Sequence, residues 1–295
     1  HETTQDYGNK IIKISDKEIV KKIKFKSKKF NNIEYEKYLN AKTLKQMKIT
    51  KKEIKFYGTS INSKETKKGN LFIAIKGKNK DGHNFVDHAI KKGARLSVIS
   101  QVKKIKNKDK ILKVKNTKTF LENFASLKRL QSNAKIIAVT GSSGKTTVKS
   151  LIAKTLSKFD PTHYSPKSFN NHYGVPLSLS NLENRHSYGV FEIGMSKSGE
   201  INKLSKFVKP DIAIITNIAA AHIENFNNLK EIASAKSEII DNINKNGTII
   251  LNKDDNFFKY LEKKARKKKI KIITFGIKNS ANINLIKIKK KNQII

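Results

Sequence analysis

Residues 139–147 read VTGSSGKTT, and this short stretch decides the fold. The apolar run at 135–140 before it predicts a β-strand. A glycine loop between a strand and a helix is the setting of a phosphate-binding loop, because small residues let main-chain N–H groups close around phosphate oxygens at a helix N-terminus. The following residues recur at helical spacing and predict an α-helix from Lys145: Val148, Leu151, Ile152, Leu156 and Phe159.

The glycine loop predicts specific contacts with a nucleotide. Lys145 is expected to reach the β- and γ-phosphates, and the Thr146 hydroxyl is expected to bind Mg²⁺. The loop is shorter than the common pattern, because Val139 stands where that pattern has its first glycine. The alternative is an ordinary Gly-Ser turn before a helix. The predicted nucleotide-binding residues of the loop are Gly141, Ser142, Ser143, Gly144, Lys145, Thr146 and Thr147.

Outward from the loop, apolar runs at 188–193, 211–216, 247–251 and 270–275 alternate with helical patterns. Such alternation predicts a mostly parallel, doubly wound sheet covered on both faces. We therefore expect an α/β fold with a small α/β domain at 31–116, a phosphate-loop ATPase domain at 117–295, and a separate tail at 1–30.

The composition limits the class of protein. The 295 residues are 37% hydrophobic, which suffices for a packed core, and no stretch approaches the roughly 18 apolar residues of a membrane span. Cysteine is absent, which fits a reducing compartment, and we expect a cytoplasmic protein. The net charge of +39 comes from lysines spread along the whole chain together with abundant Ile and Asn, so we expect solvated surfaces rather than a nucleic-acid site.

Several polar residues stand at the ends of predicted strands, where parallel sheets bind ligands. Glu192 closes an apolar strand, and a buried carboxylate there favours a Mg²⁺ ligand over a structural ion pair. Asn217 and His222 follow the next strand, and Asn252 with Asp254 follows the one after. Taken alone, His222 favours a structural role over metal binding, whereas Asn252 is equally compatible with a turn and with ligand binding.

Lys236 lies in the middle of an apolar helical stripe. An ammonium group facing a core is costly, so Lys236 needs a carboxylate partner, an exit to solvent for its amine, or chemical conversion.

Six motifs, in this order, resemble the MurF family of Mur ligases, the ligases of UDP-N-acetylmuramoyl-tripeptide and D-alanyl-D-alanine. The resemblance runs from about residue 33 to residue 295. The motifs are VTGSSGKTT (139–147), FNNHYGVPLSL (169–179), FEIGMSKSGEI (191–201), ITNIAAAHIENF (215–226), IASAKSEI (232–239) and LNKDD (251–255).

The resemblance implies a set of roles. Lys145 and Thr146 would bind the ATP phosphates and Mg²⁺, and Glu192 and His222 would each coordinate Mg²⁺. Lys236 matches a lysine that this family carbamylates, which would let it bind a second Mg²⁺. The catalytic residues implied are Lys145, Lys236 and His222. Asn252 and Asp254 match an adenosine-contacting motif, and Asn170 and Asn171 match positions near the reacting groups.

Residues 58–85 resemble the family's uridine-binding domain. The family's Asp-Ser-Arg is here Asn62, Ser63 and Lys64, so Ser63 is the retained candidate for substrate binding. The alternative is that these three residues form only a turn.

The reaction implied is peptide-bond formation between UDP-N-acetylmuramoyl-tripeptide and D-alanyl-D-alanine through an acyl phosphate, with ATP and two Mg²⁺ ions. Two rival interpretations are another Mur-type or folylpolyglutamate-type ligase, and a basic nucleic-acid-binding phosphate-loop protein. The expected partners are the two substrates, with no nucleic acid and no membrane span.

Both ends of the chain suggest a piece of a longer protein. Residues 1–30 resemble the C-terminal tail of MurE, which suggests a MurE–MurF fusion. The family's third domain, which binds the dipeptide, is not recognisable in the sequence. We therefore expect that residues 1–295 alone bind nucleotide without ligating.

Overall fold

The computed structural model describes residues 2–3, 14–15, 32–48, 54–102, 105–221, 223–278 and 280–285. By their internal contacts these residues form two compact units, 1–57 and 58–295. The first unit contains two short antiparallel strands, β1 (Glu2–Thr3) and β2 (Ile14–Ser15), and helix α1 (Asn32–Gln46). Most of the segment compared with MurE lies outside the described residues, so that comparison stays a prediction, as do the domain boundaries near 30 and 116.

The second unit begins with a four-stranded parallel sheet. Its strands are β3 (Thr59–Ser60), β4 (Leu71–Ile73), β5 (Leu96–Ile99) and β6 (Ile111–Lys113), in spatial order β3-β4-β5-β6. Helix α2 (Val86–Lys91) buries Val86, Ala89 and Ile90 against the sheet, where they pack with Phe72 and Ile99. This confirms a small α/β pattern in this part of the chain.

A seven-stranded parallel sheet follows helix α3 (Thr117–Gln131). Its strands are β7 (Lys135–Thr140), β8 (Thr162–Tyr164), β9 (Tyr188–Glu192), β10 (Ile212–Ile215), β11 (Thr248–Asn252), β12 (Lys271–Gly276) and β13 (Ile283–Asn284). The spatial order is β13-β12-β11-β10-β7-β9-β8, so the chain changes direction between β7 and β10. Ligands bind at such a switch point, beyond the carboxyl ends of the strands.

Helices cover both faces of the large sheet, because alternate residues of each buried strand point to opposite sides. Ile137 and Val139 of β7 face α4 (Lys145–Leu156), while Ile136 and Ala138 face the larger core. That core also includes residues of α5 (Gly174–Ser180), α6 (Glu200–Val208), α7 (Leu229–Ser237) and α8 (Phe258–Lys267). The predicted doubly wound α/β fold is thereby confirmed.

Some details differ from the sequence prediction. In and beyond α4, Leu151 and Phe159 are exposed, whereas Lys149 and Ala153 are buried, so the buried face of α4 is rotated from the predicted stripe.

Among the described residues, no helix is both long and apolar enough to cross a lipid bilayer. The basic run at 263–269 lies largely on the exposed side of α8 and the turn after it, as expected of a solvated face.

Asn181, just after α5, joins the large-sheet region to the edge strand of the small sheet. The amide of Asn181 accepts a hydrogen bond from the Thr59 N–H at 2.8 Å and donates to the Thr59 carbonyl oxygen at 3.2 Å. It also donates to the Leu177 carbonyl oxygen at 2.9 Å. A single side chain therefore satisfies both main-chain groups of Thr59.

The two outer strands of the large sheet are short. β8 has three residues and follows Pro161, whose carbonyl oxygen accepts a hydrogen bond from the Ser187 N–H at 2.8 Å. At the other edge β13 has two residues.

Candidate active site

The glycine loop lies at the carboxyl end of β7, as predicted, and its two glycines adopt conformations that favour glycine. Gly141 has φ +146° and lies so close to Thr216 that a Cβ at this position would overlap the Thr216 hydroxyl. Gly144 has φ +76° and caps the N-terminus of α4. The loop therefore brings main-chain N–H groups to a helix N-terminus, which is the geometry that binds phosphate.

The residues after β10 hold this loop in place. The Ser143 N–H donates to Asn217 Oδ1 at 2.9 Å, and the Ser142 N–H donates to the Asn217 carbonyl oxygen at 2.9 Å. The Thr216 hydroxyl donates to the Ser143 carbonyl oxygen at 2.6 Å. Asn217, noted in the sequence only as a polar residue at a strand end, thus fixes the loop at the switch point between β7 and β10.

Lys145 folds over the same loop. Its amine donates to the carbonyl oxygens of Gly141 at 2.9 Å and Ser142 at 3.1 Å. Burial lowers the pKa of Lys145, and the negative charge of Glu192 acts against that shift. The Lys145 amine therefore lies over the glycine loop, and its contact with ATP phosphates stays a prediction.

Glu192, Thr146 and Asn170 meet next to the loop. The Glu192 side chain is 1% exposed. Its Oε2 accepts a hydrogen bond from the Thr146 hydroxyl at 2.8 Å, and its Oε1 accepts one from Asn170 Nδ2 at 2.7 Å. Two of the predicted Mg²⁺ ligands, Thr146 and Glu192, are therefore neighbours.

Carboxylate and hydroxyl oxygens are the donors that Mg²⁺ prefers, and this ion usually keeps several waters beside one or two protein ligands and substrate phosphates. The donor set at Thr146 and Glu192 fits that preference. Within the described ranges, no group of three or more His, Cys, Asp or Glu side chains is arranged to hold a metal ion. His222, the third predicted ligand, lies outside the described residues.

Lys149 is a buried residue of this cluster that the sequence reasoning missed. Its side chain is 2% exposed, and its amine lies 3.8 Å from Glu192 Oε2. The amine donates to the carbonyl oxygens of Ser165 at 2.9 Å and Lys167 at 2.5 Å. The sequence does indicate that Lys149 lies near the site, because it stands one helical turn after Lys145, on the face of α4 whose side chains point back to the loop.

Lys236 is 2% exposed, in agreement with its place in an apolar stripe. Burial and, to a smaller extent, the positive charge of Lys145 together lower the pKa of Lys236 to about 8. Lys236 is therefore close enough to Lys145 to interact with it electrostatically. In the part of the chain that the structure describes, the Lys236 amine makes neither a hydrogen bond nor an ion pair.

Asn252 and Asp254 lie at the carboxyl end of β11 and bind main-chain groups. Asn252 Oδ1 accepts a hydrogen bond from the Asp254 N–H at 3.0 Å. The Asp254 carboxylate accepts from the N–H groups of Ile277 at 2.5 Å and Lys278 at 3.1 Å. These contacts join the turn after β11 to the turn after β12, and the adenosine role of both residues stays a prediction.

The remaining candidates occupy turns. Asn171 Oδ1 accepts hydrogen bonds from the N–H groups of Tyr173 and Gly174, both at 3.0 Å, in the turn that leads into α5. Ser63 is buried in a turn after β3, in which Asn62 Oδ1 accepts from the Lys64 N–H at 3.1 Å. Ser63 and Lys64 thus lie in a turn, and the substrate role of Ser63 stays a prediction. Thr147 is exposed in the first turn of α4.

A parallel sheet with a phosphate loop at its switch point, facing a buried carboxylate, defines a nucleotide-binding protein of the phosphate-loop class. Two family descriptions match the chain: "Mur ligase middle domain" over residues 139–294 and "Mur ligase family, catalytic domain" over residues 55–129. The chain belongs to the Mur ligase family.

Within this family the chain is similar to proteins named UDP-N-acetylmuramoyl-tripeptide–D-alanyl-D-alanine ligase. It is 41% identical over 226 residues to that of Rickettsia prowazekii, covering 76% of this chain and 50% of the relative. It is 39% identical over 188 residues to that of Escherichia coli, covering 64% and 41%. The chain thus spans about half the length, or less, of these curated relatives.

The chain is also similar to solved structures of MurF proteins. The crystal structure of MurF from Acinetobacter baumannii matches with a TM-score of 0.69 and 34% identity, covering 80% of this chain and 53% of that one. MurF from Thermotoga maritima, in complex with ADP, matches with a TM-score of 0.64 and 32% identity, covering 76% and 51%.

Proposed function

We propose that this chain provides the nucleotide-binding part, and a UDP-substrate-binding part, of a MurF-type ligase. The reaction joins UDP-N-acetylmuramoyl-tripeptide to D-alanyl-D-alanine with consumption of ATP. The observation that carries the proposal is the cluster of Thr146, Glu192 and Asn170 directly beside the loop that holds Lys145. The names of the relatives, UDP-N-acetylmuramoyl-tripeptide–D-alanyl-D-alanine ligase, support this choice of substrates.

In the proposed first step, a carboxylate oxygen of the tripeptide attacks the γ-phosphorus of ATP, and the bond to the β,γ-bridging oxygen breaks. The products are an acyl phosphate and ADP. The N–H groups of the loop and the Lys145 amine would hold the phosphates and balance their charge. Thr146 and Glu192 would hold Mg²⁺, which supplies charge neutralisation on the phosphate oxygens.

In the proposed second step, the amine of D-alanyl-D-alanine attacks the acyl carbon, inorganic phosphate leaves, and the nitrogen loses a proton. Phosphate-loop residues can stabilise the departing phosphate with the same donors that held it in ATP. The predicted substrate residues Ser63, Asn170 and Asn171, and the adenosine residues Asn252 and Asp254, belong to this proposal.

Lys236 fits the proposed carbamylation. An amine must be neutral to attack CO₂, and a pKa of about 8 leaves a substantial neutral fraction near physiological pH. The ammonium first loses one proton; the neutral nitrogen then forms a bond to the carbon of CO₂ while one C=O π pair moves to oxygen, and the nitrogen loses a second proton. A buried cation next to Lys145 would thus become an anion that attracts it. The resulting carbamate oxygens would suit a second Mg²⁺. A ¹³C-bicarbonate NMR experiment tests this step: we expect a carbamate signal that is absent from K236M, and its absence from the unaltered chain contradicts the modification.

The proposed activity is tested with the complete reading frame. We expect ADP release that requires both UDP-N-acetylmuramoyl-tripeptide and D-alanyl-D-alanine, in agreement with a cytoplasmic location where ATP and both precursors are available. ADP release with another amino acid or peptide in place of the dipeptide would favour a different Mur-type ligase. The same assay on residues 1–295 tests the expectation that this chain alone does not ligate.

A further inference from the structure

Lys149 is a fully buried cation to which the proposed mechanism gives no role. It stands on α4, one turn after Lys145, and its side chain is 2% exposed. Its two shortest contacts, at 2.5 and 2.9 Å, are to the carbonyl oxygens of Lys167 and Ser165, whereas Glu192 Oε2 is 3.8 Å away. By distance, Lys149 therefore binds the chain segment after β8 more closely than it binds the carboxylate.

That segment needs support at Lys167. Lys167 has φ +50°, a left-handed conformation that residues with a Cβ rarely adopt. Its carbonyl oxygen accepts the 2.5 Å hydrogen bond from Lys149. Its own side chain is 73% exposed and reaches Glu65 at the surface, a contact that contributes little to stability. The Lys149 amine is thus the buried contact that stabilises this unusual backbone.

The same segment carries the groups that orient Glu192. The Ser165 hydroxyl accepts a hydrogen bond from the Glu192 N–H at 3.0 Å, and Asn170 donates to Glu192 Oε1 at 2.7 Å. Ser168 Oγ lies 3.5 Å from the Thr146 hydroxyl. A shift of residues 165–170 would therefore move the partners of both oxygen ligands in the proposed Mg²⁺ site.

We propose that Lys149 is a positioning residue that holds residues 165–170 against α4 and thereby sets Glu192 and Thr146 for Mg²⁺-dependent nucleotide binding. The inference rests on the proposed function, because it assumes that these two side chains hold Mg²⁺. It assigns Lys149 no contact with nucleotide. Partners that orient metal ligands typically change metal affinity by roughly 10–100-fold when they are removed.

The test compares ADP binding to residues 1–295 in Mg²⁺ and in EDTA, by calorimetry, for the unaltered chain and for K149M. Methionine fills a similar volume without donating hydrogen bonds. We expect K149M to lose about tenfold or more of the Mg²⁺-dependent affinity gain, with ADP affinity in EDTA unchanged within about twofold. An equal Mg²⁺ gain in folded K149M overturns the proposal, as does an equal loss under both conditions.

Two further variants separate positioning from a general effect of a buried lysine. K128M removes another buried lysine, on α3, and is expected to keep the full Mg²⁺ gain. K149M/K167G is expected to recover part of the gain, because glycine adopts the left-handed conformation of residue 167 without support. Loss of the gain in K128M, or no recovery in K149M/K167G, contradicts the positioning role.

If K149M does not fold, K149Q replaces it, since the uncharged glutamine amide is one bond shorter than the lysine side chain and cannot reach both carbonyl oxygens. We then expect a smaller but still Mg²⁺-specific loss, and a Mg²⁺ gain equal to that of the unaltered chain overturns the proposal. Failure of the proposed function gives a different result: the unaltered chain itself would bind ADP with no gain from Mg²⁺.

Discussion

Lys236→Met should stabilise this protein at neutral pH. The side chain of Lys236 is buried on α7, and burial together with the charge of Lys145 lowers its pKa to about 8 from an ordinary value of 10.5. Among the described residues it has no carboxylate partner to offset the cost of a buried ammonium. Methionine preserves the packing volume and removes the charge.

The magnitude and the pH dependence follow from the two pKa values. At roughly 1.4 kcal/mol per pKa unit, the buried charge costs about 3 kcal/mol of unfolding free energy. The unfolded chain binds the proton more tightly, so the cost is complete below pH 8, decreases as the pH rises, and disappears near pH 10.5. The advantage of K236M should therefore be largest at pH 7 and fall to near zero at pH 10.5.

Urea unfolding of both chains at several pH values, in CO₂-free buffer, measures this difference. K230M is a matched control, because Lys230 is exposed on the same helix and should change stability little at any pH. A K236M protein that is equally stable or less stable at pH 7, or whose advantage does not decline between pH 8 and 10.5, would refute the reasoning. Adding bicarbonate should stabilise the unaltered chain and leave K236M unchanged.

Three further substitutions test the loop and its surroundings. K145M should weaken ADP binding by about 2 kcal/mol, roughly 30-fold, as measured by calorimetry on the folded chain. G141A should destabilise by about 2 kcal/mol or more in urea unfolding, because its Cβ overlaps the Thr216 hydroxyl, and adding T216A should restore part of this loss. N181D should cost about 1–3 kcal/mol, because an oxygen would replace the amide that donates to the Thr59 carbonyl; an N181D chain of unaltered stability contradicts that contact.

The parallel sheet and its ligand-binding edge could be predicted because they depend on local patterns. Continuous apolar runs identified the long central strands, and the carboxyl ends of parallel strands necessarily share one edge. Glu192, Asn217 and Asn252 therefore fall on the same side of the sheet as the glycine loop. Lys236 could be recognised as buried because the apolar residues around it show helical periodicity.

Other features depend on contacts that are distant in sequence. Lys149 was missed because a lysine on an amphipathic helix is usually solvated, and its partners, the carbonyl oxygens of Ser165 and Lys167, belong to a loop. Helix α5 contains Pro176, which has no N–H group to donate. Because Pro176 lies in the first turn, where N–H groups have no partner within the helix, the helix still forms. All of its residues are buried. The short strands β3 and β8 are mostly polar, so no apolar run marks them in the sequence. Each forms by pairing with a neighbouring strand, β3 with β4 and β8 with β9.

The short outer strands of the large sheet affect how this chain behaves at high concentration. An unpaired strand can recruit another molecule by extending the ladder, which leads to aggregation or fibrils. Among the described residues, one rim presents residues 162–164, preceded by a proline that has no amide hydrogen, and the opposite rim presents residues 283–284. Pro161→Val adds an amide hydrogen beside exposed Tyr164 and Phe159 and should make self-association through residues 162–164 more favourable.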